Sequence, residues 1–257
     1  MNQGLRMNVG ILVAAAFTVS SLWAETVELE PVADVGFLYS PTPPFRQNLL
    51  NGGVAPLGAS VHSGAPDRGS CSLLRFDLSS IPAGAKITKV ELILTPVYTY
   101  AANVYKGQER LSVYQLAPEN AAWVEGTGES LRDPDNDPIT APGANGAYVN
   151  MESYTDDAHH DGVRWLSGPN FGQMDLTGDE LGSYPLHELG TSKSVPLTIE
   201  LPTALIGEWQ QNPELAKAGL VLWMNSADHV ISESRFSIFF SREQEMPPRL
   251  VVEYQRP

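Results

Sequence analysis

The sequence predicts an all-β protein, a β-sandwich with long loops and at most one short helix. Three observations carry that expectation. Apolar and polar residues alternate with period two through most of the chain after residue 24. The alternating runs are short and separated by turn residues, with 22 Gly and 20 Pro in 257 residues. Helical periodicity is almost absent. The length suits one sandwich, since such domains reach roughly 250 residues as a single unit; two smaller domains are the alternative.

The first clear strand is Leu74-Arg75-Phe76-Asp77-Leu78, with Leu74, Phe76 and Leu78 on one face and Arg75 and Asp77 on the other. Ile81-Pro82-Ala83-Gly84-Ala85 then reads as a turn. A second strand over 86–95 points Val90, Leu92 and Leu94 inward and Lys89, Glu91 and Ile93 outward. Residues 110–116 form a further strand before the turn Ala117-Pro118-Glu119-Asn120. Between 125 and 170 the composition shifts to Gly, Asp, Pro, Asn and Thr, which predicts long loops with little regular structure and a natural place for a site. Alternation returns at Val195, Leu197, Ile199 and Leu201. Residues 202–209 form the one short helix, with Leu205, Ile206 and Trp209 on one side. The nearly continuous apolar run 219–224 predicts a strand buried on both faces. Strands over 235–240 and 249–254 close the chain.

The N-terminus predicts export. Arg6 is the only charge before Glu25, a short apolar stretch spans 9–19, and small residues end at Ala24. That is the pattern of a signal peptide over 1–24, too short to cross a bilayer, leaving a single domain over 25–257. The expected location is secreted, extracellular or periplasmic. Cys71 is the only cysteine, so no internal disulfide can form, and its apolar setting predicts an inert buried thiol. The net charge is −14, and removing residues 1–24 takes away one Arg and no acid, leaving −15. Such a chain disfavours nucleic acid and anionic membranes as partners.

The run Leu73-Leu74-Arg75-Phe76-Asp77-Leu78-Ser79-Ser80-Ile81-Pro82-Ala83-Gly84-Ala85-Lys86-Ile87 is similar to the hallmark opening of the DNRLRE domain family, which is related to carbohydrate-binding module family 96. Further landmarks agree in order: Ala33-Asp34 in a first strand before that run, then Trp123-Val124-Glu125-Gly126, Val163-Arg164-Trp165, Gly168-Pro169-Asn170-Phe171, and Trp209 with Gly219-Leu220-Val221-Leu222. The ending Phe240-Ser241-Arg242-Glu243, then Pro247-Pro248-Arg249-Leu250, completes the resemblance over nearly all of 25–257. It implies jelly-roll topology, secretion, and non-catalytic binding of a polysaccharide or cell-surface glycan. The rival is a structural or adhesive protein that binds another surface protein.

A sugar site needs aromatic faces and a few convergent polar groups. Tyr98, Tyr100 and Tyr105 with Lys106 are the leading cluster, and Trp165 and Arg75 are further candidates, the arginine as a partner for a uronate carboxylate or for a nearby acid such as Asp77. No cofactor is required, but structural calcium is an option. Asp133, Asp135 and Asp137 alternate in one loop and can converge on a hard cation, with the Glu125 region or Asp156 and Asp157 completing it. The EF-hand pattern is not completed there. His159-His160-Asp161 offers two adjacent imidazoles, which commonly point apart. Neither a metalloprotease HExxH nor a GxSxG nucleophile motif occurs, and the reading is of a protein that is not an enzyme.

Overall fold

Alternation gives each strand two faces, and in this chain both faces of the central strands are covered. The computed structural model describes residues 24–39, 53–54, 56–62, 65–99, 109–128, 143–156, 159–186, 195–226 and 235–257. In chain order the strands are β1 (Ala24–Leu29), β2 (Pro31–Tyr39), β3 (Leu57–His62), β4 (Ala65–Phe76), β5 (Lys86–Leu94), β6 (Pro96–Thr99) and β7 (Glu109–Leu116). They continue as β8 (Tyr148–Asp156), β9 (His159–Arg164), β10 (Leu176–Pro185), β11 (Leu197–Glu200), β12 (Leu220–Ser226), β13 (Arg235–Phe239) and β14 (Arg249–Gln255). Helices α1 (Ala204–Gln211) and α2 (Pro213–Ala218) lie between β11 and β12.

A four-stranded sheet runs β1-β14-β5-β11, and an eight-stranded sheet runs β10-β7-β12-β4-β3-β13-β6 with β2 on β4. Their pairings are antiparallel. The two sheets share one core. Leu74 and Phe76 of β4, Leu220 and Leu222 of β12 and Leu111 and Val113 of β7 meet Val90, Leu92 and Leu94 of β5 and Leu250 and Val252 of β14. The strand 86–95 and its predicted inward residues are therefore as the alternation required. So is the turn before it, in which Ile81 N–H donates to Leu78 and Ala85 N–H to Pro82.

The opposite face of the large sheet is not solvent. Cys71 and Leu73 of β4, Val221 of β12, Leu116 of β7 and Val35, Phe37 and Tyr39 of β2 pack against Trp123, Ala144, Val149, Trp165 and Phe171. Phe171 is central, with ring centroids 5.0 Å from Trp165, 5.4 Å from Phe37 and 5.5 Å from Trp223. At roughly 2–3 kcal/mol for each large side chain buried, these rings bind the segment to the sheet. Much of the stretch expected as long loops is thus a third layer. It contains the hairpin β8–β9, whose Tyr148-Val149-Asn150-Met151 run is strand-like but sits among Gly, Asp and Asn. Asn145 organises its entry, accepting the N–H groups of Ala147 and Tyr148 on one side-chain oxygen, both at 2.9 Å.

The helix expected over 202–209 forms as α1, with Leu205, Ile206 and Trp209 buried. A second helix, α2, exceeds the single one expected. Pro213 starts it, where a missing N–H costs nothing, and Gly219 ends it at φ 81°. Buried Gln115 fastens both helices to β7. Its side-chain oxygen accepts the Trp209 indole N–H at 2.6 Å, and its amide nitrogen donates to Leu215 and Gly219 at 3.0 and 2.8 Å.

At Gly219 the positive φ disfavours any side chain, and an added Cβ would strike the Leu74 carbonyl oxygen. Gly219→Ala is therefore expected to cost about 2 kcal/mol, lowering the midpoint of thermal unfolding by roughly 4–8 °C. An unchanged midpoint would contradict this packing.

Candidate functional site

β2 pairs with β4 through one edge, so its other edge must find partners for backbone groups. Two come from far along the chain. The Asp34 N–H donates to Glu125 Oε2 at 3.1 Å, and the Val32 carbonyl accepts Arg242 Nη1 at 2.6 Å. Arg242 also donates from Nη2 to Glu125 Oε1 at 3.0 Å and from Nε to Glu243 Oε1 at 2.7 Å. Its backbone N–H donates to Asp34 Oδ2 at 2.7 Å. One guanidinium thus sits among three carboxylates, which bring oxygens within 4.8 Å of one another.

Asp34 is 0% exposed, and its Oδ1 has no hydrogen-bond partner. Burial pushes its carboxyl up to about 7; the Arg242 N–H opposes that, while Glu243 and Glu125 add repulsion. Burial likewise raises Glu125 to about 7, against the pull of Arg242. Ser241 Oγ, one residue before Arg242, is a second buried oxygen without a partner. Chemically, the group can share protons among its acids or hold a hard cation. Complete burial puts Asp34 out of contact with solvent, so it cannot donate a proton directly to a glycosidic oxygen there.

The residues expected to bind ligand fare differently. Arg75 does face outward on β4, but the outer layer partly covers it. Its guanidinium lies 4.2 Å from the Trp123 ring and donates to the carbonyls of Lys217, Ala121 and Trp123. Asp77 is not its partner; it accepts from Ser79. Trp165 is 2% exposed and donates its indole N–H to Asn145 at 2.7 Å, so its ring belongs to the core and presents no open face. Trp165 therefore offers no ring face to a ligand, while the half-buried Arg75 is engaged by three carbonyls. Tyr98 is on β6, the last strand in the path of the large sheet, opposite Ile238. Tyr100, Tyr105, Lys106, Asp133, Asp135 and Asp137 lie outside the described residues.

His160 Nδ1 is 2.8 Å from the Tyr148 hydroxyl, and Arg164 lies 3.7 Å over the same ring, so this imidazole is part of the hairpin. Cys71 is buried, and burial raises its thiol well above the usual range. Asp34 and Glu243 were legible only as landmarks of the resemblance. A further signal was present in Pro31-Val32-Ala33-Asp34-Val35-Gly36-Phe37, where a single acid interrupts an apolar strand.

Two expectations test this geometry. Arg75→Ala strands three carbonyl groups and removes the ring contact, so it should cost about 2 kcal/mol or more; an unchanged melting midpoint would mean a solvated arginine. The second concerns pH. Asp34 and Glu125 hold protons more tightly folded than unfolded, so their stabilisation is complete below about pH 4 and is lost as pH rises towards 7. In EDTA the melting midpoint should fall from pH 5 to pH 8 more steeply in the parent protein than in Asp34→Asn. Parallel profiles would contradict it. No family model matches the chain, and no curated protein matches its sequence.

Proposed function

We propose that the chain is a non-catalytic, extracellular β-sandwich module that binds a polysaccharide or cell-surface glycan. The observation that carries the reading is the meeting of three landmarks of the family resemblance. Ala33-Asp34, the Trp123–Glu125 element and Ser241-Arg242-Glu243 are joined by direct hydrogen bonds across separations of 91, 117 and 208 residues. Residues that make a sequence resemble a family, and that also meet as one hydrogen-bonded constellation around a buried acid, support descent from that family's fold. The family's role in glycan binding then becomes the leading function.

The non-catalytic part rests on the carboxylates. A glycoside hydrolase needs two acids flanking a bond that substrate can reach. Of the two acids raised to about 7, Asp34 is enclosed, and Glu125 is held by the Asp34 N–H and the Arg242 guanidinium. With Arg75 and Trp165 built into the protein, the proposed ligand contacts reduce to Tyr98, Tyr100, Tyr105 and Lys106, which begin on β6 and continue past it. Stacking on such rings contributes little without polar groups to orient hydroxyls, so Lys106 is the expected polar anchor.

The test is a glycan-array screen of residues 25–257 followed by titration of the strongest ligand. Saturable binding, weakened at least tenfold by Tyr100→Ala with no change in melting midpoint, is the expected result. Absence of binding to every glycan would overturn the proposal in favour of a protein partner.

A further inference from the structure

We propose that Asp34, Glu125 and Glu243 form a divalent-cation site, with Ca2+ the better-suited ion. The argument is independent of glycan binding. Three carboxylates meet the Arg242 guanidinium, and Arg75 attracts Glu125 as well, so the ionised group keeps a net negative charge that a bound cation would offset. Asp34 Oδ1 is fully buried with no donor, which is costly for a carboxylate oxygen unless something positive faces it.

The spacing permits a single ion. Two oxygens on one ion can be no further apart than twice the metal–oxygen distance. For Ca2+ at roughly 2.3–2.6 Å that limit is about 4.6–5.2 Å, which accommodates oxygens within 4.8 Å of one another. Mg2+ demands near-ideal octahedral geometry at roughly 2.0–2.1 Å and dehydrates reluctantly, which suits it less to a partly enclosed cluster of three acids. Calcium also takes six to eight oxygens in irregular geometry. Glu125 and Glu243 keep side-chain exposures of 17% and 28%, and Arg242 keeps 37%. An ion can therefore enter from the Glu243 side, with water completing its shell and Arg242 retained or swung outward.

The site would act as a cross-link. Asp34 belongs to β2, Glu125 follows Trp123 in the outer layer, and Glu243 precedes β14. With one cysteine in the chain, no internal disulfide can join these regions. An affinity of about 0.1–1 mM, usual for extracellular calcium modules, would suffice where calcium is plentiful.

The experiment uses the chain over residues 24–257, stripped with EDTA and dialysed. Calcium at a few millimolar should raise the melting midpoint by about 5 °C. Terbium should luminesce on excitation of tryptophan, with Trp123 two residues from Glu125 as the antenna. Asp34→Asn and, on the exposed side and safer for folding, Glu243→Gln should each weaken calcium affinity at least tenfold. The combined Asp133→Asn, Asp135→Asn and Asp137→Asn variant should retain it. The proposal is overturned by a midpoint indifferent to calcium with no terbium signal, by unchanged affinity in Glu243→Gln, or by loss of affinity in the Asp133 loop variant alone.

Discussion

Burial of both faces of the central strands is the constraint on which the rest of the structure depends. β4 and β12 alternate between two apolar environments, and the run Leu220-Val221-Leu222 supplies a buried side chain to each in turn. A sheet buried on one face could leave the segment after Trp123 as free loops. A sheet apolar on both faces cannot, because exposing Cys71, Leu73, Val35, Phe37 and Val221 together would leave a large apolar patch in water. The outer layer is the answer, and its aromatic residues match that requirement. It explains why Arg75 is half-buried: it shares a face with Leu73, and whatever covers one must accommodate the other.

The same layer accounts for the acidic junction. Covering the β2 region brings Glu125 to the Asp34 N–H, and the turn before β14 brings Arg242 to the Val32 carbonyl. Each contact satisfies a backbone group that an edge strand leaves open. The consequence is a carboxylate concentration that Arg242, with Arg75 also attracting Glu125, only partly offsets. A buried, partly compensated charge cluster is a weak source of stability by itself. Its value lies in connecting the sandwich, the outer layer and the C-terminal strand at one point.

Much of this was legible in the sequence. Local patterns located the C-terminal end of β4 and also β5, β7, β11, β12, β13, β14 and the turn at 81–85: period-two alternation for β4, β5 and β11, and a continuous apolar run for β12. Alternation also put Arg75 on the correct face. What it could not supply was the environment of that face, since the covering residues lie about 45 and 140 positions away. β8 was missed because its flanks carry loop composition, and α2 because six residues hold too few turns to display a period. Trp165 was expected near a loop surface for the same reason: its neighbours are polar, but its ring contacts come from β2 and from Phe171. The acid cluster was beyond local reading, as its members approach one another only once the layers assemble.

The most direct test of the layered account is native-state hydrogen exchange across residues 143–171. The amides of Ala144 and Phe171 donate to Val124 and Gly146 at 2.7 and 2.9 Å, and that of Met151 to Gly143 at 2.9 Å. If the outer layer folds with the sheet, these amides exchange only through global unfolding, with protection matching that of β4. Exchange at the rates of unstructured chain, while β4 stays protected, would contradict it.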